Sequence, residues 1–221
     1  MQTTNDRFLT THSGSLPRKD LLVELQVALS RGERVDDREL QDAVVSSTET
    51  VIKNQIEAGI DIGNNGEQPR ESFFTYVQHR MTGFGGSSSR PPFQDILRYP
   101  SWMELKLAGY LSGVDLTAAP QAVDKVIYAN EKPLHLELEQ FASLLDNEGN
   151  PFTETFMTAP SPGIVATAME DTFYGDMQSY VDALATALKT EYDAIYRAGH
   201  VLQLDCPDLA MERHTYFGER S

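Results

Sequence analysis

The sequence predicts an α/β fold, a parallel sheet covered by helices, and three observations predict it. Short apolar runs alternate with long amphipathic stretches along the chain. Glycines stand where the amphipathic stretches would end. Polar residues gather directly after the short runs, as they do where parallel strands open on one face.

The elements follow in order. "RFLTT" (7–11) reads as the first strand. Leu21, Leu22, Leu25, Ala28 and Leu29 recur at helical spacing, with Gly32 as the stop. A longer helix spans 37–58, its stripe made by Leu40, Val44, Val51, Ile52 and Ile56, and Gly59 ends it. "IDIGNNGE" (60–67) is the second strand, running into a polar tip. The stretch 70–81 reads as helical, with Phe73, Phe74 and Val77 on one side. "GFGGSSSRPP" (83–92) has the composition of a flexible loop, expected as a lid on the strand-end face. A helix over 95–111 breaks at Pro100. "KVIYAN" (125–130) is the third strand and 134–145 a helix closed by "DNEGN". "FTETFMTAPSPG" (152–163) is the fourth strand with its loop, followed by a short helix over 164–169. A long helix over 178–198 stops at Gly199, and "HVLQLDCPD" (200–208) is the last strand. Five strands suffice for a doubly wound sheet, whereas a (β/α)8 barrel needs three more and usually ~250 residues.

Composition narrows the function classes. The 221 residues can bury a core and read as one domain. Eighteen Lys and Arg against 33 Asp and Glu give a net charge of -15, which argues against nucleic acid or an anionic membrane surface as partner. No apolar run is long enough to span a bilayer, and "MQTTNDRF" lacks the pattern of a signal peptide. The single cysteine, Cys206, excludes an intrachain disulfide. A cytoplasmic setting is the expectation.

The strand tips carry the chemistry. The first leads to His12, Ser13, Gly14 and Ser15, the second to Asn64, Asn65, Gly66 and Glu67, and the third to Asn130 and Glu131. The fourth leads to Thr158, Pro160, Ser161 and Pro162, and the fifth to Asp205 and Asp208. Glu67 and Asp205 each follow an apolar strand, where a carboxylate needs a partner. They either cap helices and pair with Arg70 and Arg213, or face one pocket and hold a cationic group such as an α-amino group. Backbone amides of the Ser13–Gly14–Ser15 loop suit a carboxylate, unless a serine there merely caps the next helix. Together, the carboxylate nest and the acidic pair describe an amino-acid pocket.

"TTHSGSLPR", "AGIDIGNNGEQPRESF", "TAPSPG" and "AGHVLQLDCPDLAMERH" resemble, in order, the catalytic barrel of cobalamin-independent methionine synthase, and more closely its short single-barrel bacterial relatives. The resemblance implies a (β/α)8 barrel of the uroporphyrinogen decarboxylase/methionine synthase-like superfamily, with only the first five βα units in this chain, as one partial domain over 1–221. It implies a methyl- or alkyltransferase in which zinc, without cobalamin, activates a homocysteine-like thiol toward a methyl or alkyl donor. Carried over by position, Ser13, Gly14 and Ser15 contact the substrate carboxylate and Glu67 and Asp205 its amino group, with His12 a further pocket residue; no catalytic residue is assigned.

Two departures qualify the resemblance. The tryptophan that stacks the folate in methionine synthases has no counterpart in "TAPSPGIVATAMED", and the only tryptophan is Trp102. The zinc ligands come from later strands than this chain contains. Its own His79 and His135 fall on predicted helices, His200 begins a strand, and His214 lies in the tail, so no metal ligand is assigned. The expectation is a chain inactive alone, completed by a missing C-terminal segment or a second polypeptide. The alternatives are an epoxyalkane–coenzyme M transferase-like enzyme, whose sulfonate thiol offers no amine to the acidic pair, and a non-catalytic amino-acid- or thiol-binding module.

Overall fold

The computed structural model describes residues 6–89, 94–101, 104 and 119–218, which form a mixed α/β structure. In chain order the elements are α1 (Asp20–Ser30), α2 (Asp37–Glu57), β1 (Ile62–Gly63), a 3-10 helix (Thr75–His79), β2 (Met81–Gly85), α3 (Gln94–Arg98), β3 (Gln121–Tyr128), α4 (Lys132–Asn147), β4 (Glu154–Pro160), α5 (Pro162–Ala168), α6 (Met177–Arg197), β5 (Val201–Asp205), α7 (Asp208–Met211) and a second 3-10 turn (Glu212–His214). One sheet has the order β1-β4-β5, with β1 and β4 parallel. The other is the antiparallel pair β2-β3.

The chain divides into two compact units. The first holds the described residues up to Phe73, with Glu131–Ala159 and Thr190–Gln203. The second holds those of Phe74–Asn130 and Pro160–Lys189, with those from Leu204 onward.

In the first unit the helices form where periodicity and caps agree. Asp36 accepts hydrogen bonds from the amides of Arg38 and Glu39, both at 3.0 Å, and so fixes the start of α2. Its stripe residues Val44, Val51 and Ile52 are buried, as are Leu134, Leu138 and Phe141 of α4, and α1 and α4 both pack on α2. Gly59, at φ +72°, ends α2 in the left-handed region.

The predicted first strand is not one. The stretch 8–12 forms no ladder but is tied to the residues before β1. The carbonyl of Thr10 accepts from the amides of Asp61 and Ile62, and the Asp61 carboxylate accepts from the amide and hydroxyl of Thr10. Arg7 closes the arrangement with two bonds to Asp61, at 2.5 and 2.6 Å. These bonds hold the Asp61 carboxyl well below the usual carboxylate range, the Arg7 bond contributing most.

Three other expectations change. Residues 70–81 form turns and a 3-10 helix before β2 rather than one helix; Phe74 and Val77 are nevertheless buried. The predicted third strand exists but pairs antiparallel with β2. Residues 83–85, assigned to the flexible loop, belong to β2. A Cβ on Gly83, at φ +91°, would stand 2.6 Å from the Lys125 carbonyl oxygen, so the glycine permits a close hairpin rather than mobility. Ser88 is also fixed: its amide donates to the Ala119 carbonyl, its hydroxyl donates to the Pro120 carbonyl, and that hydroxyl accepts from the Glu170 amide. Residues 90–93, Trp102 and most of the predicted 95–111 helix lie outside the described residues. In the second unit Ser161 caps α5 through the Ile164 amide, with Pro162 in the first turn.

Two outcomes check this packing. A Cβ at position 63 would lie 2.5 Å from the Phe152 ring, so Gly63→Ala should destabilise by about 1–3 kcal/mol. An unchanged urea midpoint would contradict it. A carboxyl with a depressed folded pKa adds stability that is present above its unfolded pKa and is lost as pH falls. Arg7→Ala should therefore lower the melting temperature most at neutral pH, the deficit shrinking as pH drops below the ordinary carboxylate range. A deficit that is constant with pH would refute the role given to Asp61.

Candidate functional site

The turn after β1 places Glu67. Asn64 and Asn65 bend the backbone through Asx bonds: Asn64 Oδ1 accepts from the Gly66 amide and Asn65 Oδ1 from the Glu67 amide. Glu67 itself sits at φ +56°, a left-handed conformation disfavoured for a side chain of its kind. Arg18 clamps this turn, donating from Nη2 to the carbonyls of Glu67, at 2.9 Å, and Arg70, at 2.7 Å. Burial pulls the Arg18 pKa down, and the charges of Glu67 and Glu71 oppose that shift.

The Glu67 carboxylate is buried, with the residue 2% exposed, and its Oε1 accepts from the Thr158 hydroxyl at 2.8 Å. Thr158 in turn accepts from Arg70, whose Nη1 donates to the Thr158 hydroxyl at 3.1 Å and carbonyl at 2.8 Å. Arg70 is 1% exposed and pairs through Nε with Glu137 at 3.0 Å; Glu191 lies 4.0 Å from its Nη2. Asn65 Nδ2 donates to the same Glu137 oxygen at 2.9 Å. Elements distant in sequence thus converge on one hydrogen-bonded network.

The loop 12–15 closes over this group. A Cβ on Gly14, at φ +133°, would lie 2.7 Å from both Glu67 Oε1 and Thr158 Cγ2, so only glycine lets the loop come so near the carboxylate. The Gly14 amide does not point outward as the sequence suggests; it donates to His12 Nδ1 at 3.3 Å, and Asn64 Nδ2 donates to the Gly14 carbonyl. With Nδ1 accepting, His12 Nε2 carries the proton and donates to Gln55 Oε1 at 2.9 Å. His12 therefore latches the loop to α2, and it also lines a cavity with Leu16, Pro17 and Val51. Gln203 Nε2 donates to the Ser13 carbonyl. The amide of Ser15 has no partner among the described residues, and Ser15 is exposed. Neither serine caps α1, whose N-cap is Lys19.

Of the sequence-predicted residues, His12, Ser13, Gly14, Ser15 and Glu67 come together in the first unit. Asp205 ends β5 in the second unit, where its carbonyl accepts from the Ser161 amide. Arg70, one of the partners considered for Glu67, forms ion pairs with Glu137 on α4 and Glu191 on α6. Glu137 and Gln55 could have been suspected from sequence, since each interrupts an apolar helical stripe.

No protein-family model matches the chain. A protein from Sulfurisphaera tokodaii is 26% identical over 212 residues, covering 95% of this chain and 54% of its own length. One from Sulfolobus acidocaldarius is 35% identical over 75 residues, 34% of this chain and 22% of its own. These relatives are methionine synthases. Two solved structures share the fold: a B12-independent methionine synthase from Shewanella sp. W3-18-1 in complex with selenomethionine, and a putative vitamin-B12 independent methionine synthase from Listeria monocytogenes. The first has a TM-score of 0.66 at 21% identity, covering 90% of this chain and 51% of that one. The second has a TM-score of 0.60 at 18% identity, covering 92% and 53%. The chain spans about half the length of the methionine synthases it matches end to end.

The zinc implied by the resemblance does not fit the donors present. All five histidines and Cys206 lie among the described residues, yet no three His, Cys, Asp or Glu side chains among those residues converge as ligands. His12 has both ring nitrogens in use, and His200 is bonded through Nδ1 to Thr155, its pKa pulled down by burial. No reaction step is derived through zinc. Among the described residues, no helix is long and apolar enough to cross a membrane.

The loop makes one outcome specific. Gly14→Ala should destabilise on the order of 1–3 kcal/mol through strain and the clash with Glu67, whereas Ser15→Ala should stay within about 0.5. Chemical denaturation of both variants checks this, and equal effects would contradict the close approach.

Proposed function

We propose that this chain is the amino-acid-binding part of a methionine synthase-like thiol methyl- or alkyltransferase, and that it forms part of a (β/α)8 barrel. The observation that carries the reading is the buried Glu67 carboxylate, held in a left-handed turn with Gly14 closed against it. A charge maintained in such a place at an energetic cost suits a cationic ligand group. The α-amino group of a homocysteine-like thiol binds Glu67, and its carboxylate takes the amide and hydroxyl of Ser15. The selenomethionine named with the Shewanella protein is an amino acid of this class.

In the reaction the sulfur lone pair forms a new S–C bond to the donor's methyl or alkyl carbon. That carbon's bond to its leaving atom breaks, and the thiol loses its proton. The groups that activate the thiol and bind the donor belong to a C-terminal segment or second chain that completes the barrel.

Titration calorimetry of the chain with L-homocysteine, its des-amino analogue and coenzyme M tests the pocket. L-homocysteine should bind and the other two should not, and Glu67→Gln should weaken binding roughly ten- to a hundredfold, as loss of a charge-assisted bond does. Equal binding of all three thiols, or none, would refute the reading. Metal analysis of the same protein should find no stoichiometric zinc. One zinc per chain, surviving dialysis against a chelator and lost on mutating His12 or Cys206, would show the chemistry to be misplaced.

A further inference from the structure

We propose that Thr158 is a positioning residue that orients the Glu67 carboxylate, its hydroxyl proton aimed by Arg70. The geometry leaves the hydroxyl one arrangement. A guanidinium only donates, so Arg70 Nη1, 3.1 Å away, occupies a lone pair of the Thr158 oxygen. The hydroxyl's single proton then goes to Glu67 Oε1 at 2.8 Å. That bond favours the ionised carboxylate, because a protonated Glu67 gains less from accepting it.

Arg70 is itself fixed. Its Nε pairs with Glu137, which Asn65 also engages, and Nη1 also holds the Thr158 carbonyl. The chain of bonds from α4 through Arg70 and Thr158 to Glu67 thus sets both the place and the direction of the carboxylate before any ligand arrives. With Oε1 held by Thr158 and packed against Gly14, the carboxylate cannot rotate without breaking that bond or moving the loop. Only its consequence for amine binding rests on the reading of Glu67 given above.

Thr158→Val and Thr158→Ser separate positioning from packing. Valine keeps the shape and removes the hydroxyl; serine keeps the hydroxyl and removes the methyl. The first readout, on ligand-free protein, is the side-chain carboxyl 13C resonance of Glu67 at neutral pH, assigned by its loss in Glu67→Gln. It should match wild type in Thr158→Ser and move in Thr158→Val. Arg70→Lys, which can still pair with Glu137 but lacks the fork that reaches Thr158, should move it in the same sense. The second readout is L-homocysteine affinity, expected to fall about tenfold or more in Thr158→Val and to be retained in Thr158→Ser. A Glu67 resonance unchanged by Thr158→Val overturns the positioning role, whatever homocysteine does. A resonance that moves in Thr158→Val and Arg70→Lys but not in Thr158→Ser upholds it even if wild type binds no homocysteine, a result that would overturn the amino-acid reading alone.

Discussion

Burying a carboxylate without losing its hydrogen bonds is the constraint around which the first unit is built. Glu67 is all but removed from solvent, and an uncompensated charge there would cost several kcal/mol. The surrounding residues meet that demand in order. Thr158 supplies a proton, Arg70 orients Thr158, Glu137 anchors Arg70, and Arg18 and Asn65 hold the backbone turn that presents the side chain. The partners come from α4, β4, the opening loop and the turn after β1, so all of these must be in place before the carboxylate can be.

The same constraint explains the opening loop. Leu16 donates its amide to the Gly66 carbonyl and Gln68 donates to the Leu16 carbonyl, which seats the loop on the turn. Gly14 then fits where no side chain could, and the His12–Gln55 bond ties it back to α2. The loop's chemistry divides accordingly: His12 and Gly14 are committed to architecture, while Ser15 keeps its amide and hydroxyl for something else.

The helices were legible because their signals are local. Apolar spacing and the stop at Gly59 gave α2 to within a residue, and the short helix after β4 starts two residues before the expected position, at Pro162. The strands were less so. Residues 7–11 have strand-like composition, but their hydrogen bonds go to the Asp61 side chain and the residues around it instead of a ladder. The glycines at 83 and 85 read as looseness and serve close packing in a hairpin. Glu67 stood out at a strand tip, whereas its support did not: Glu137 lies far along the chain, and no spacing rule pairs it with Arg70. Thr158 looked like one more polar residue before a proline, since its role exists only through two partners brought by the fold.

A crystal structure of the chain soaked with L-homocysteine tests the central claim most directly. The expected result is the ligand's amino nitrogen within hydrogen-bonding distance of the Glu67 carboxylate, its carboxylate on the Ser15 amide, and the Thr158–Glu67 bond intact. An ordered ligand whose carboxylate or thiol, rather than its amine, faces Glu67, or one seated away from this loop, would contradict it.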